Sequence, residues 1–571
     1  MRSSEWFAGN DETALSHRVV MRSVGVELSP DNKKPIIGIA DSSSDLNPCN
    51  LPLRALVDEV KAGVLEAGGL PLSFPVMSLG EDLMKPSAML YRNLLSMEVE
   101  EYLRSYPLDG VVLLANCDKS VPGSLMGAFS ANLPTIMVIG GARPSPFFKG
   151  KRVGTGTDLW RNWEAFRSGE LSESEWKEFE NCLNCGLGSC NTMGTASSVA
   201  LMIETLGFAI PGTSTIPSGT PERAEAARNS GREIVKMVNE DLTPAKILSP
   251  ASFRNAIRVL HSVGGSTNAI LHLLALSGRV GGELTPEQIN SLGENIPVLA
   301  DVEPSGEFLI QDFHNAGGLP QLLTALGDHI ESDALNQSGK SWKSQLTKEF
   351  IASPAIRALN NPLKEGGAFT LVKGNLAPDG ALLKTSAASP HLLVHKGPAV
   401  VFNGYEEMRI KLDDPDLEIA PDSILVLRGC GAVGVPGAPE WGMMQIPKKL
   451  ALQGITDMVR ITDARMSGTS FGTCLLHVSP EAAVGGPLAL VENGDLISLD
   501  VPAGRLDLLI SPAELEKRRT NWIPPKSEHL RGWPALYQKH VLQPDLGCDF
   551  DFLRAPTPEH RRFVPPIVGR S

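Results

Sequence analysis

The stretch VVLLANCDKSVPG, residues 111–123, decides the reading of the fold. Five apolar residues in an unbroken run fit a strand covered on both faces, and the abrupt change to Asn116, Cys117, Asp118 and Lys119 marks the end of that strand. The Pro122-Gly123 pair predicts a turn directly after it. Working outward, IIGIA (36–40) and IMVIGG (136–141) repeat the pattern, and a helical periodicity at 53–67 lies between the first two runs. Strand, helix and strand in alternation predict an α/β fold with a parallel sheet. Farther on, MGTASSVALMIETLGF (193–208) and HSVGGSTNAILHLLAL (261–276) read as small-residue helices whose starts could face an anion. Between about 333 and 366 the apolar periodicity fades into Asn, Ser, Lys and Pro, which places a boundary between a domain at 1–360 and a second at 361–571. The second is predicted to be β-rich, from short strand candidates SILVLRG, DMVRITDA, CLLHVS and DLISLDVPAGRLDLLI separated by Gly/Pro turns.

At 571 residues, two hydrophobic cores are expected. The net charge of −13 and the absence of clustered Lys/Arg argue against nucleic acid or a polybasic membrane contact and favour a small-molecule partner. No apolar run reaches membrane-spanning length, and the first twenty residues mix both charge signs, so a cytoplasmic location is expected.

Eight Cys in a chain of this length do not make a disulfide scaffold, and in a reducing compartment clustered Cys point to metal or catalysis. Cys49 follows the first strand and Cys117 ends a later one, so both lie where ligands gather in open α/β sheets. NCLNCGLGSCNTMG offers Cys182, Cys185 and Cys190, whose C-x2-C-x4-C spacing is a weak iron–sulfur signal by itself. Cys182, Cys185, Cys430, Cys474 and Cys548 are expected to be small buried hydrophobes. An adjacent Asp-Lys pair usually makes an exposed ion pair, but Asp118 and Lys119 follow an apolar strand and stand beside a thiol.

NPCN (47–50), NCDKSVPG (116–123), GSCNTMGTASS (188–198), GGSTNA (264–269), PGAPE (436–440) and TDARMSGTSFG (462–472) together resemble the dihydroxy-acid and sugar-acid dehydratase family, in family order along nearly the whole chain. The resemblance implies an N-terminal α/β/α domain and a C-terminal β-barrel-like domain with the active site between them. It implies a [2Fe–2S] cluster on Cys49, Cys117 and Cys190, with one iron left open as a Lewis acid rather than an electron carrier. It also implies Mg²⁺ held by Glu81 in SLGEDL, Asp118, a carbamylated Lys119 and Glu440, since carbamylation turns an ammonium into the hard oxygen ligand that Mg²⁺ prefers. Asp82, adjacent to Glu81, is the competing carboxylate. Ser467 matches the family's catalytic base, with His477 the alternative. Homodimers or homotetramers are implied.

RSSEWF (2–7), MKPSAMLYRNL (84–94), CNTMGTASS and GCDFDFL (547–553) look like the sugar-acid branch, so the expected substrate is an aldonic acid, a pentonate such as arabinonate or xylonate. Dihydroxy-acid dehydratase of branched-chain synthesis is the competing reading. An iron–sulfur redox or sensor protein would leave Lys119, Glu440 and Ser467 unexplained, and a non-catalytic binding protein using the GGSTNA helix start as an anion site is a further alternative, which ligand binding without keto-acid formation would support.

Overall fold

The computed structural model describes residues 1–183, 186–346, 349–441, 443–555 and 566–567, so Cys185 lies outside the described residues. Strands β1 (Ile36–Asp41), β2 (Leu70–Pro75), β3 (Gly110–Ala115) and β4 (Thr135–Ile139) form a parallel sheet in the order β2-β1-β3-β4. Val112 pairs with Ile39 on one side and Ile136 on the other. Odd and even positions of β3 are buried alike, which requires cover on both faces of the sheet. The edge strand β2 is not among the predicted strands. Its sequence, LPLSFP, carries Pro71 and Pro75, which an edge position tolerates because no ladder N–H is needed there.

The N-terminal part also contains α1 (Leu53–Glu66), α2 (Met89–Ser105), α3 (Ser120–Ala131), α4 (Thr157–Arg167), α5 (Thr195–Thr205), α6 (Pro221–Asn239), α7 (Pro250–Ser262) and α8 (Thr267–Arg279). The predicted turn at Pro122-Gly123 is corrected by α3, which begins at Ser120. Pro122 sits in its first turn, where a backbone N–H has no intrahelical partner and its loss costs little. Helices α1 and α6 touch backbone to backbone: a Cβ on Gly63 would stand 1.9 Å from the Arg228 carbonyl oxygen, and one on Gly231 2.3 Å from that of Val60.

The C-terminal part contains β5 (Thr370–Val372), β6 (Gly380–Leu383), β7 (Val394–Asn403), β8 (Ile424–Arg428), β9 (Glu440–Trp441), β10 (Arg460–Thr462), β11 (Arg465–Met466), β12 (Cys474–Ser479), β13 (Leu496–Asp500) and β14 (Arg505–Leu508). Eight of them make a mixed sheet, β14-β13-β7-β8-β10-β12-β6-β5, and a bridge between Lys373 and Arg505 joins its two edges into a nearly closed barrel. Alternation sorts the side chains: Ile424 and Val426 enter the barrel core, while Leu425 and Leu427 join a second apolar cluster with Phe402 and Met444. On β6, Ala381 and Leu383 face the barrel core and Leu382 joins the core built on the first sheet. The chain then returns to the N-terminal helices. Arg92 donates to the carbonyls of Gly547 and Cys548, both at 2.9 Å, and buried Arg279 pairs with Asp549 at 2.6 Å. No described helix is long and apolar enough to cross a membrane.

Candidate active site

Three loops beyond the carboxyl ends of parallel strands bring the thiols together. Cys49 follows β1, Cys117 ends β3, and the segment holding Cys190 pairs with the chain after β4, where Ala142 bridges Ser189. The Asn116 amide fastens the first and third loops by donating to the Cys49 carbonyl (2.8 Å) and to the Gly141 carbonyl (2.9 Å). Asn50 Oδ1 accepts from the Cys117 amide at 2.8 Å. The Cys117 thiol is pushed up by its neighbour Cys49 and by burial, and burial pushes the Cys190 thiol up to about 12 despite nearby Arg143. None of the three forms a disulfide. Thiols held protonated by burial and by a neighbouring thiol, as at Cys117 and Cys190, become thiolates only with a compensating cation, so this donor set fits a thiolate-bound metal. Arg143 Nη2 stands 3.8 Å from Cys49 Sγ and 3.0 Å from the Gly188 carbonyl.

One residue after Cys117 the chemistry changes from soft to hard. Lys119 is fully buried, and its ammonium lies 2.5 Å from Asp118, 2.6 Å from Glu440 and 3.9 Å from Glu81. Burial pulls the lysine pKa down, but the three carboxylates outweigh it and hold the group above its ordinary value. Arg465 is the second cation, 2.9 Å from Glu440 and 3.7 Å from Glu81. Glu440 touches both cations, and their charges overcome its burial and lower its pKa. Glu81 is farther from both and burial raises its pKa; it accepts instead from Ser87 Oγ (2.9 Å) and the Ala88 amide (3.0 Å). Of the adjacent pair, Glu81 faces Lys119, whereas Asp82 lies 3.8 Å from Cys49 Sγ. Among the described residues no three His, Cys, Asp or Glu side chains close on one point at metal-ligand distance. The carboxylates close on the Lys119 ammonium, and three anions against two cations leave the cluster negative. That donor chemistry fits a divalent cation, with Lys119 able to join as an anionic ligand once carbamylated.

Ser467 follows β11, whose Arg465 pairs with Glu440 across the β9–β11 ladder. Its hydroxyl meets Thr469 Oγ1 at 2.8 Å and accepts from the Thr469 amide at 3.3 Å. The loop lies against the starts of α5 and α8: a Cβ on Gly468 would stand 2.6 Å from Ser266 Oγ and 2.8 Å from the Thr195 amide. The two predicted anion-facing helix starts therefore meet at Gly468, the residue after Ser467, and their N-terminal dipoles favour negative charge in this loop. His477 is buried on β12 in a left-handed conformation (φ 60°), with burial and then Arg465 lowering its pKa to about 3. Its Nε2 has no hydrogen-bond partner among the described residues.

The structure brings Cys49, Cys117 and Cys190 into one group and Glu81, Asp118, Lys119 and Glu440 into an adjoining one. Cys430, Cys474 and Cys548 are buried elsewhere, and Cys182 packs with Phe148 and Phe179. Sequence reading missed Arg465, Asn268 and Arg143. Asn268 donates to Glu440 (3.2 Å) and to the Met466 carbonyl (3.0 Å) and accepts from Arg465 (3.1 Å). The available signal was position, since Arg465 and Asn268 stand inside the TDARMSGTSFG and GGSTNA motifs.

The family models of the dihydroxy-acid/6-phosphogluconate dehydratases match this chain, the N-terminal one over residues 34–345 and the C-terminal one over 354–548. The chain is 46% identical to an L-arabinonate dehydratase of Rhizobium leguminosarum bv. trifolii, with 97% of this chain and 96% of the relative covered. It is 44% identical to a 6-deoxy-6-sulfo-D-gluconate dehydratase of Pseudomonas putida over the same shares. A dihydroxy-acid dehydratase of Methanobrevibacter smithii is 36% identical, with 93% and 97% covered.

Proposed function

The chain belongs to the dihydroxy-acid/6-phosphogluconate dehydratase family and is a dehydratase, and we propose that it removes water from an aldonic acid, a pentonate such as arabinonate, to give a 2-keto-3-deoxy acid. The observation that carries this reading is the junction at Cys117, Asp118 and Lys119, where a buried thiol and a buried carboxylate cluster share one strand end. The higher identity to the arabinonate and sulfogluconate relatives than to the dihydroxy-acid relative favours a sugar acid.

In this reading Cys49, Cys117 and Cys190 hold a [2Fe–2S] cluster, and Glu81, Asp118, carbamylated Lys119 and Glu440 hold Mg²⁺. Bound there, the two would supply Lewis acidity toward the departing C3 hydroxyl and the carboxylate end of the substrate. Ser467 Oγ, as alkoxide, takes the proton from C2. The Thr469 amide and the starts of α5 and α8 lower the cost of that negative charge. Arg465 and Asn268 fix Glu440 so that the carboxylate does not swing toward the thiols. Ser467 then returns that proton to the departing C3 hydroxyl, which leaves as water and regenerates the alkoxide, and the resulting enol ketonises.

The test is keto-acid formation by anaerobically prepared protein across arabinonate, xylonate, gluconate and 2,3-dihydroxyisovalerate. Highest kcat/KM on a pentonate is expected. Turnover of dihydroxyisovalerate alone would assign the protein to branched-chain synthesis, and cluster reduction without keto acid would make it a redox protein.

A further inference from the structure

Helix α4 docks on the Ser467 loop through two side chains three residues apart, a spacing that puts them on one face of the helix. Thr157 Oγ1 donates to the Thr469 carbonyl (3.1 Å) and Trp160 Nε1 donates to Thr469 Oγ1 (3.1 Å). The approach is close because Gly156, just before α4, has φ 101°, and a Cβ there would stand 2.6 Å from Thr469 Oγ1. A Cβ on Gly194 would likewise stand 2.9 Å from the Thr469 methyl carbon. Thr469 is thus clamped between two glycine backbones, and it is 4% exposed. The Trp160 ring is fixed as well: it packs on the apolar cluster that holds Phe402, Met466 and Cys474.

These contacts set the direction of a hydrogen-bond chain. An indole N–H can only donate, so Thr469 Oγ1 accepts from Trp160. The Thr469 hydroxyl keeps one hydrogen to donate, and among the described residues the one other polar atom it meets is Ser467 Oγ, at 2.8 Å. That hydrogen is therefore directed to Ser467, whose Oγ also accepts from the Thr469 amide at 3.3 Å. Two donors from Thr469 leave the Ser467 hydrogen pointing away from it. They also favour loss of that hydrogen, because an alkoxide gains more from each donor than a neutral hydroxyl does. Members of such a chain polarise one another, so donation from Trp160 strengthens the bond that Thr469 makes. Without the indole N–H, Thr469 Oγ1 is free to turn and accept from Ser467, which favours the neutral hydroxyl instead.

We propose, on the reading of Ser467 as the base, that Trp160 is its positioning residue: the indole N–H holds the Thr469 hydroxyl as a donor toward Ser467 Oγ and so favours the alkoxide. In the metal-loaded enzyme, kcat, KM and exchange of the substrate C2 proton with deuterium are measured on L-arabinonate, or on the fastest acid of the panel above, for Trp160→Phe and Trp160→His. Phenylalanine keeps an aromatic ring and has no N–H, whereas histidine carries Nε2 at the ring position of the indole Nε1. Trp160→Phe should lose roughly tenfold in kcat and in C2 exchange, part of the worth of a hydrogen bond to a charged group, with KM and cluster absorbance held within about twofold. Trp160→His should recover most of that loss. Wild-type kcat in Trp160→Phe, an equal loss in the two variants, a loss that falls on KM, or loss of cluster absorbance in both would make the indole a packing residue and overturn the assignment. Wild-type C2 exchange in Ser467→Ala would instead refute the reading of Ser467 as the base, whatever the Trp160 variants do.

Discussion

Replacing Arg465 with Met tests whether the hard half of the site is held by paired charges. The side chain is 1% exposed and donates to the Ala438 carbonyl (2.7 Å), Asn268 Oδ1 (3.1 Å), Glu440 Oε2 (2.9 Å) and Ser87 Oγ (3.0 Å). Methionine fills much of the same space and satisfies none of these acceptors. Glu440 keeps Lys119 at 2.6 Å, so its charge is not stranded. The cost should therefore lie at the lower end of that for breaking a buried pair, about 3 kcal/mol. Glu440→Gln, which keeps the shape and removes the charge, should leave two cations facing fewer anions and also destabilise. In the double variant the lost charges match, so its cost should fall short of the sum of the singles by about 1.5–3 kcal/mol. The assay is urea unfolding of chelator-treated protein, read at the first transition because two cores need not unfold together. If the two substitutions prove additive, or if Arg465→Met costs less than about 0.5 kcal/mol, the pair is not what holds β9 to β11, and the electrostatic account of Glu440 fails.

Three further outcomes are expected. Cys49→Ser, Cys117→Ser and Cys190→Ser should each abolish the visible absorbance of a reconstituted cluster while Cys474→Ser retains it; full absorbance in any of the first three removes that residue from the ligand set. Ser467→Ala should keep cluster absorbance but lose roughly 10²–10⁴-fold in kcat and in exchange of the substrate C2 proton with deuterium, whereas wild-type exchange would move the base elsewhere, His477 first. Glu331, its carboxyl lowered to about 2 by hydrogen bonds from Arg254 and Arg258, contributes stability that is present above the ordinary carboxylate pKa and lost as pH falls toward 2. Glu331→Gln should therefore cost about 1 kcal/mol at pH 7, an amount reduced by the partial exposure of the pair, with the difference vanishing near pH 2 in parallel thermal melts.

The strands of the first sheet were legible because burial on both faces writes itself as an unbroken apolar run, as in GVVLLA and IIGIA. β2 was not, since an edge strand needs no such run and LPLSFP carries prolines. The Pro122-Gly123 pair misled because local turn propensity does not record that it lies inside a buried twelve-residue helix, 120–131. Candidate ligands could be named from their motifs, which are local strings. Distances between strings are not local: Lys119 and Glu440 are 321 positions apart in sequence and 2.6 Å apart in space. Only the folded chain decides that Glu81 rather than Asp82 faces the lysine, and that Arg465 and Asn268 steady Glu440. It also decides that α4 docks Thr157 and Trp160 on Thr469 beside Ser467, because each of these depends on side chains brought together by the docking of distant segments.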